Sequence, residues 1–203
     1  MTIYLHQNDL PNDITFSNSV AVDSETMGLK IARDRLCLIQ LSDGNGDAHL
    51  VHFVDKNYRA PNLKNLLNNE EVEKIFHFAR FDIAAIKYYL GISINNIFCT
   101  KIASKLVRTY TDAHGLKSIC EELLKVEISK KQQSSDWGNK VISQKQLEYA
   151  ANDVLYLHQI KEKLQEMLIR ENRQDIFKDC IKFLPTRVTM DLCGFGKLDI
   201  FSH

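Results

Sequence analysis

Apolar and polar positions alternate in strand-sized blocks along the first half of the chain. Ser19 to Asp23 is a short apolar run that stops at acids, Leu36 to Leu41 is dense in branched aliphatics, and Ala48 to Val54 is a further run of that kind. Gly44-Asn45-Gly46-Asp47 between the last two is a strong hairpin signal, so three neighbouring strands, at least partly antiparallel, are expected. Asn62 to Leu67 reads as a short helix, Glu73 to His77 as a buried strand, and Phe81 to Leu90 as a helix closed by Gly91. After Gly91 the pattern is mostly helical. Thr100 to Val107 and Leu116 to Leu124 are short amphipathic segments. Ser129 to Asn139 has no period, carries the only tryptophan, Trp137, and reads as a loop near the site. Ser143-Gln144-Lys145-Gln146 fits a capping box, and apolar spacing from Leu147 through Leu164 and Leu168 predicts one long helix.

Composition narrows this without changing it. With 203 residues, 44% of them hydrophobic, the chain is long enough to bury a full core and too short for two ordinary domains, so a single unit over 1–203 is expected. Lys plus Arg and Asp plus Glu both number 26, which leaves no global basic field to hold a long polyanion. Any nucleic-acid contact must be local. Cys37, Cys99, Cys120, Cys180 and Cys193 show neither Cys-x-x-Cys spacing nor neighbouring histidines, and read as buried free thiols. His49 and His52, three apart on a predicted strand, face opposite sides and make a poor metal pair. The first residues lack the pattern of a signal peptide and no stretch approaches membrane-spanning length, so a cytoplasmic protein is expected.

The candidate chemistry lies in four acids and a tyrosine. Asp23 and Glu25 stand two apart at a predicted strand end and project from one face, where both can reach a common ion. Asp82 follows in Ala79-Arg80-Phe81-Asp82, and Tyr149 and Asp153, four apart, share one helical face. Each fragment has an ordinary reading: an exposed strand end, an acid favoured at a helix N-terminus, a surface pair on an amphipathic helix. An acylphosphate-forming phosphatase would place Asp where Glu25 stands. Taken together, four carboxylates suit Mg²⁺ or Mn²⁺, and two such ions about 3.5 to 4 Å apart stabilise the attacking and leaving oxygens of an in-line displacement at phosphorus.

These residues carry a resemblance. Val22-Asp23-Ser24-Glu25-Thr26, Leu36 to Leu41, His77 to Asp82, Gly115-Leu116-Lys117, Ser135-Asp136-Trp137 and Tyr149-Ala150-Ala151-Asn152-Asp153 together resemble the DEDD superfamily of 3′-to-5′ exonucleases, in its tyrosine-bearing subclass, and the catalytic domain of ribonuclease D. The likeness covers roughly residues 15 to 170. It implies an α/β, ribonuclease H-like fold: a mixed sheet of about five strands with helices on both faces. It implies two cations held by Asp23, Glu25, Asp82 and Asp153, with Tyr149 positioning the attacking water. The helical domains that follow the core in ribonuclease D have no room here, and the neutral charge fits that brevity. The short architecture resembles nano-RNase C, a bacterial group that cleaves very short RNA, chiefly dinucleotides, at the last step of RNA decay and assembles as a ring-shaped octamer.

The resemblance implies a short single-stranded RNA substrate entered from its 3′ end. Exonucleases acting on longer RNA or on DNA, and a non-catalytic nucleic-acid-binding module, are the competing readings. Leu29 matches the position of an apolar wedge between terminal bases, and Phe81 offers a stacking face. His77 and His114 sit close to motif residues and could meet phosphate or a ribose hydroxyl. Residues 171–203 form an extension whose apolar side chains, Ile181 to Leu184, Val188, Leu192, Phe195 and Ile200-Phe201, either wrap the chain's own core or join a subunit interface.

Overall fold

The computed structural model describes residues 2–129 and 131–202. Six strands form one mixed sheet in the order β1-β4-β3-β2-β5-β6. The three strands read from the sequence, β2 (Ser19–Thr26), β3 (Leu36–Ser42) and β4 (Ala48–His52), form an antiparallel meander in which Asp23 lies opposite Gln40. β5 (Glu73–Phe76) then pairs parallel to β2, and β6 (Ile97–Cys99) parallel to β5. β3 is buried at all seven positions because both of its faces are covered.

One sheet face packs Val20, Val22, Ile39 and Leu41 against Ile83 and Ile86 of α2 (Ala79–Leu90) and Leu184 and Val188 of α7 (Gln174–Met190). The other packs Ala21, Leu38 and Leu50 against Ala150 and Val154 of α5 (Gln144–Leu155) and Ile160 and Leu164 of α6 (Leu157–Arg170). Alternate residues of β2 therefore serve opposite layers. Helices α1 (Pro61–Asn68), α3 (Thr100–Val107) and α4 (Leu116–Ile119) complete the unit, α4 running on into a π-helical turn at Cys120–Leu124.

Four features differ from the sequence reading. The sheet has a sixth strand, β1 (Ile3–Gln7), parallel to β4 at the edge; its Tyr4 and Leu5 are exposed, so it shows little of the apolar signature of the inner strands. The expected long helix breaks at Tyr156 (φ −101°, ψ −5°), which lets α5 lie across β2, β3 and β4 while α6 turns onto α3 and β5. The segment from Ile181 to Val188 is part of a 17-residue helix with Pro185 inside it, and its Leu184 and Val188 are core residues. The thiols divide: Cys37, Cys99 and Cys120 are buried and free, but Cys180 is half-buried and Cys193 exposed. Among the described residues no helix is long and apolar enough to cross a membrane.

Candidate active site

The sheet delivers its acids to one point. Asp23 and Glu25 share the side of β2 that Ala21 presents to α5, and there they meet Asp153: one carboxylate oxygen from each lies within 4.8 Å of the others. Ser24 points the opposite way, toward the layer of Val20, Val22 and α2, and its hydroxyl donates to Asp82 Oδ1 at 2.6 Å. Asp82 sits in the first turn of α2, the helix that follows β5, the parallel neighbour of β2. Four carboxylates thus converge on the end of β2 from its two sides.

Local sequence explains the placement of the last two. Ser143 accepts from the backbone N–H of Gln146 while the Gln146 side chain accepts from Ser143 N–H, which fixes where α5 begins. Tyr149 and Asp153 then fall one turn apart on the face turned to the sheet. The same Gln146 donates from Nε2 to Ser135 Oγ and to the Asp136 carbonyl, both at 3.1 Å, tying down the segment that bears Trp137. The indole is buried, with its ring centre 6.1 Å from that of Tyr149. Lys130, in the same expected loop, lies outside the described residues.

These groups line a cavity of about 690 Å³. Burial pushes all four carboxyls toward the neutral form, and neighbouring acids add to it for three of them: Asp82 and Asp153 rise to about 7, chiefly through desolvation, and Asp23 and Glu25 lie well above the ordinary carboxylate range from desolvation and the charges of neighbouring acids. Desolvation, then the surrounding acids, hold the Tyr149 phenol firmly protonated, and it donates to Asp153. An all-oxygen set under this repulsion is suited to hard divalent cations, whose charge would reverse the penalty. Gln40, fully buried opposite Asp23, reaches its Oδ2 with Nε2 at 3.4 Å and keeps Oε1 without a partner among the described residues. The residues present fit a pair of Mg²⁺ or Mn²⁺ ions.

Of the residues read for substrate contact, Leu29, His77 and Phe81 line the cavity. Leu29 is 84% exposed, an unusual state for leucine. His77 Nδ1 lies 2.9 Å from Thr100 Oγ1. His114 is not among the lining residues; its Nδ1 is 2.9 Å from Ser104 Oγ, in the network around buried Arg108. Lys101 and Lys117 line the cavity and bring it positive charge; Lys101 was not singled out from sequence, and Lys117 only as part of a motif. Lys101 lies over the Phe78 ring at 4.3 Å from its centre.

Residues 6–169 match the family described as 3′–5′ exonuclease. Across its whole length the chain superposes on Brucella melitensis NrnC with bound Mg²⁺, at 52% identity and a TM-score of 0.95, covering all of that chain too. The chain belongs to the 3′–5′ exonuclease family, in its NrnC (nano-RNase C) group. A second NrnC structure from the same organism, bound to pGG, is 53% identical with a TM-score of 0.96, covering 100% of this chain and 99% of that one. Ribonuclease D of Gluconacetobacter diazotrophicus is 32% identical over 156 residues, which are 77% of this NrnC-like chain and 39% of that protein. The chain therefore spans about two fifths of the length of such curated relatives. Escherichia coli RNase D, at 25% identity and a TM-score of 0.73, covers 85% of this chain with 45% of its own.

Proposed function

We propose that this exonuclease hydrolyses short RNA from the 3′ end to 5′-mononucleotides, using two divalent cations held by Asp23, Glu25, Asp82 and Asp153. The observation that carries the reading is the convergence of four carboxylates, Asp82 buried and the other three half-buried, and one protonated phenol on a single cavity. When bound, such cations supply Lewis-acid stabilisation of charge on the attacking and leaving oxygens. The rest is the work of the chain. Tyr149, which holds its proton, orients a water by hydrogen bonding and does not act as the base. Glu25, beside it, offers an acceptor for that water. Lys101 and Lys117 draw in the phosphate, and the exposed Leu29 at the cavity offers an apolar surface to a base. His77 and Phe81 complete the wall; His114 lies outside it, in the Ser104 and Arg108 network.

The pGG bound in the relative that matches over the whole length supports very short substrates. The test is turnover on RNA and DNA of two to about twenty nucleotides, with Mg²⁺ or Mn²⁺ and after chelation. Preference for RNA dimers supports the proposal, indifference to length favours ribonuclease D-like processing, and a preference for DNA favours a repair or proofreading role. Activity that survived chelation would sink the cation site itself. Exposed Phe195, Ile200 and Phe201 support the expectation of a homo-oligomer, which light scattering of the purified protein measures, and the free thiols fit a reducing cytoplasm.

A further inference from the structure

The four acids are not held alike. Asp82 receives the short hydroxyl bond from Ser24 together with backbone N–H groups of Ser24 and of Asp82 itself. Glu25 has no comparable donor among the described residues, and Asp153 has the Tyr149 phenol. At 2.6 Å the Ser24 bond is in the range of an O–H donating to a carboxylate, roughly twice the strength of a neutral pair. Both partners are buried, Ser24 at 7% exposure and Asp82 at 3%, so water does not compete. The bond also ties together parts of the motif that are far apart in the chain: Ser24 lies between the two acids of β2, and Asp82 is on α2, 58 residues later.

We propose that Ser24 is the positioning residue for Asp82, setting its carboxylate for cation binding before any cation arrives. The inference rests on the cation-site reading above. Alternation along β2 sends Asp23 and Glu25 to the α5 side and Ser24 to the other, where it meets the carboxylate carried by α2. The Ser24 hydroxyl engages Oδ1 and so fixes the orientation of the carboxylate. Without the hydroxyl, Asp82 turns more freely about its side-chain torsions, and the cost of ordering it is then met at the moment of cation binding.

The experiment is calorimetric titration of the metal-free protein with Mn²⁺ and Mg²⁺, which needs no turnover. Ser24→Ala is expected to weaken cation binding by about tenfold, as removal of a partner of a ligand typically does, and Ser24→Thr, which keeps the hydroxyl, to restore it. The cation concentration for half-maximal activity should rise by the same factor, with turnover at saturating cation within a few-fold of the parent. A lower melting temperature with unchanged cation affinity would show a merely structural serine and overturn the proposal, as would failure of Ser24→Thr to recover affinity. If Ser24→Ala does not fold, Ser24→Cys, of similar size but a weak donor, carries the same expectation. Absence of cation binding by the unaltered protein is the separate result that would overturn the proposed function.

Discussion

The two sides of β2 treat their acids differently. On the α5 side Asp23, Glu25 and Asp153 crowd within 4.8 Å, each raised by burial and by at least one other carboxylate. On the α2 side Asp82 is raised by burial while three hydrogen bonds pull it back down. One side stores repulsion that a cation or a proton relieves; the other supplies a carboxylate already steered. A site of this kind balances affinity against stability, because the empty pocket is destabilising in proportion to the charge it is built to bind.

The largest effect should come from the crowded side. Asp23→Ala or Asp153→Ala is expected to lower turnover by about 10³-fold or more, the scale of losing a main source of transition-state charge stabilisation, with cation binding measured in parallel. Retention of cation binding together with activity would remove that residue from the site. Tyr149→Phe comes next. Because the phenol keeps its proton and its reading is to orient the water, its loss should cost about 10²-fold in turnover and weaken cation binding less than Ser24→Ala does. A Tyr149→Phe protein that lost cation binding would show the hydroxyl to be part of the cation site instead.

Repulsion also has a pH signature. Asp82 and Asp153 titrate near 7 in the folded protein against about 3.8 when unfolded, so the folded state holds more protons between those values. Their stabilisation is full at low pH and is lost as pH rises through about 7. The buried His52 and half-buried His158 are depressed, so their contribution is lost only as pH falls below about 6.5. Between pH 6.5 and 8 the acids dominate. In EDTA the melting temperature should fall as pH rises across that window, and Mg²⁺ should flatten the slope. Asp153→Asn should flatten it too; an unchanged slope in that variant would mean the crowding has no energetic weight.

What could be read from the chain follows from the range of each interaction. Asp23, Glu25, Tyr149 and Asp153 were legible because each pair sits at a spacing that one strand or one helix turns into a shared face, and Gly91, the Ser143 capping box and the Gly44–Asp47 turn were legible because they act within four residues. β1 was missed because an edge strand with exposed Tyr4 and Leu5 lacks the apolar run of an inner strand. α7 was missed because Pro185 argues against a helix interior, yet Leu184 and Val188 bury enough surface to hold it. The partners of the acids were hidden for a different reason. Gln40 meets Asp23 only through strand register, and Ser24 meets Asp82 only through the placing of α2 beside β2.

Gln40 provides the finest test of the comparison. It contacts an acid on the crowded side, as Ser24 does on the other, but at 3.4 Å against 2.6 Å, and its Oε1 is buried without a partner among the described residues. A long bond returns little, while an unpaired buried oxygen costs on the order of 1–3 kcal/mol. Gln40→Leu, of similar volume, should therefore raise the melting temperature of the metal-free protein by a few degrees and reduce turnover only a few-fold. Differential scanning fluorimetry in EDTA, with turnover at saturating Mn²⁺, measures both. If Gln40→Leu instead melted lower and lost more activity than Ser24→Ala, the longer contact would be the stronger one, and Asp23 would have to be counted as steered in the same way as Asp82.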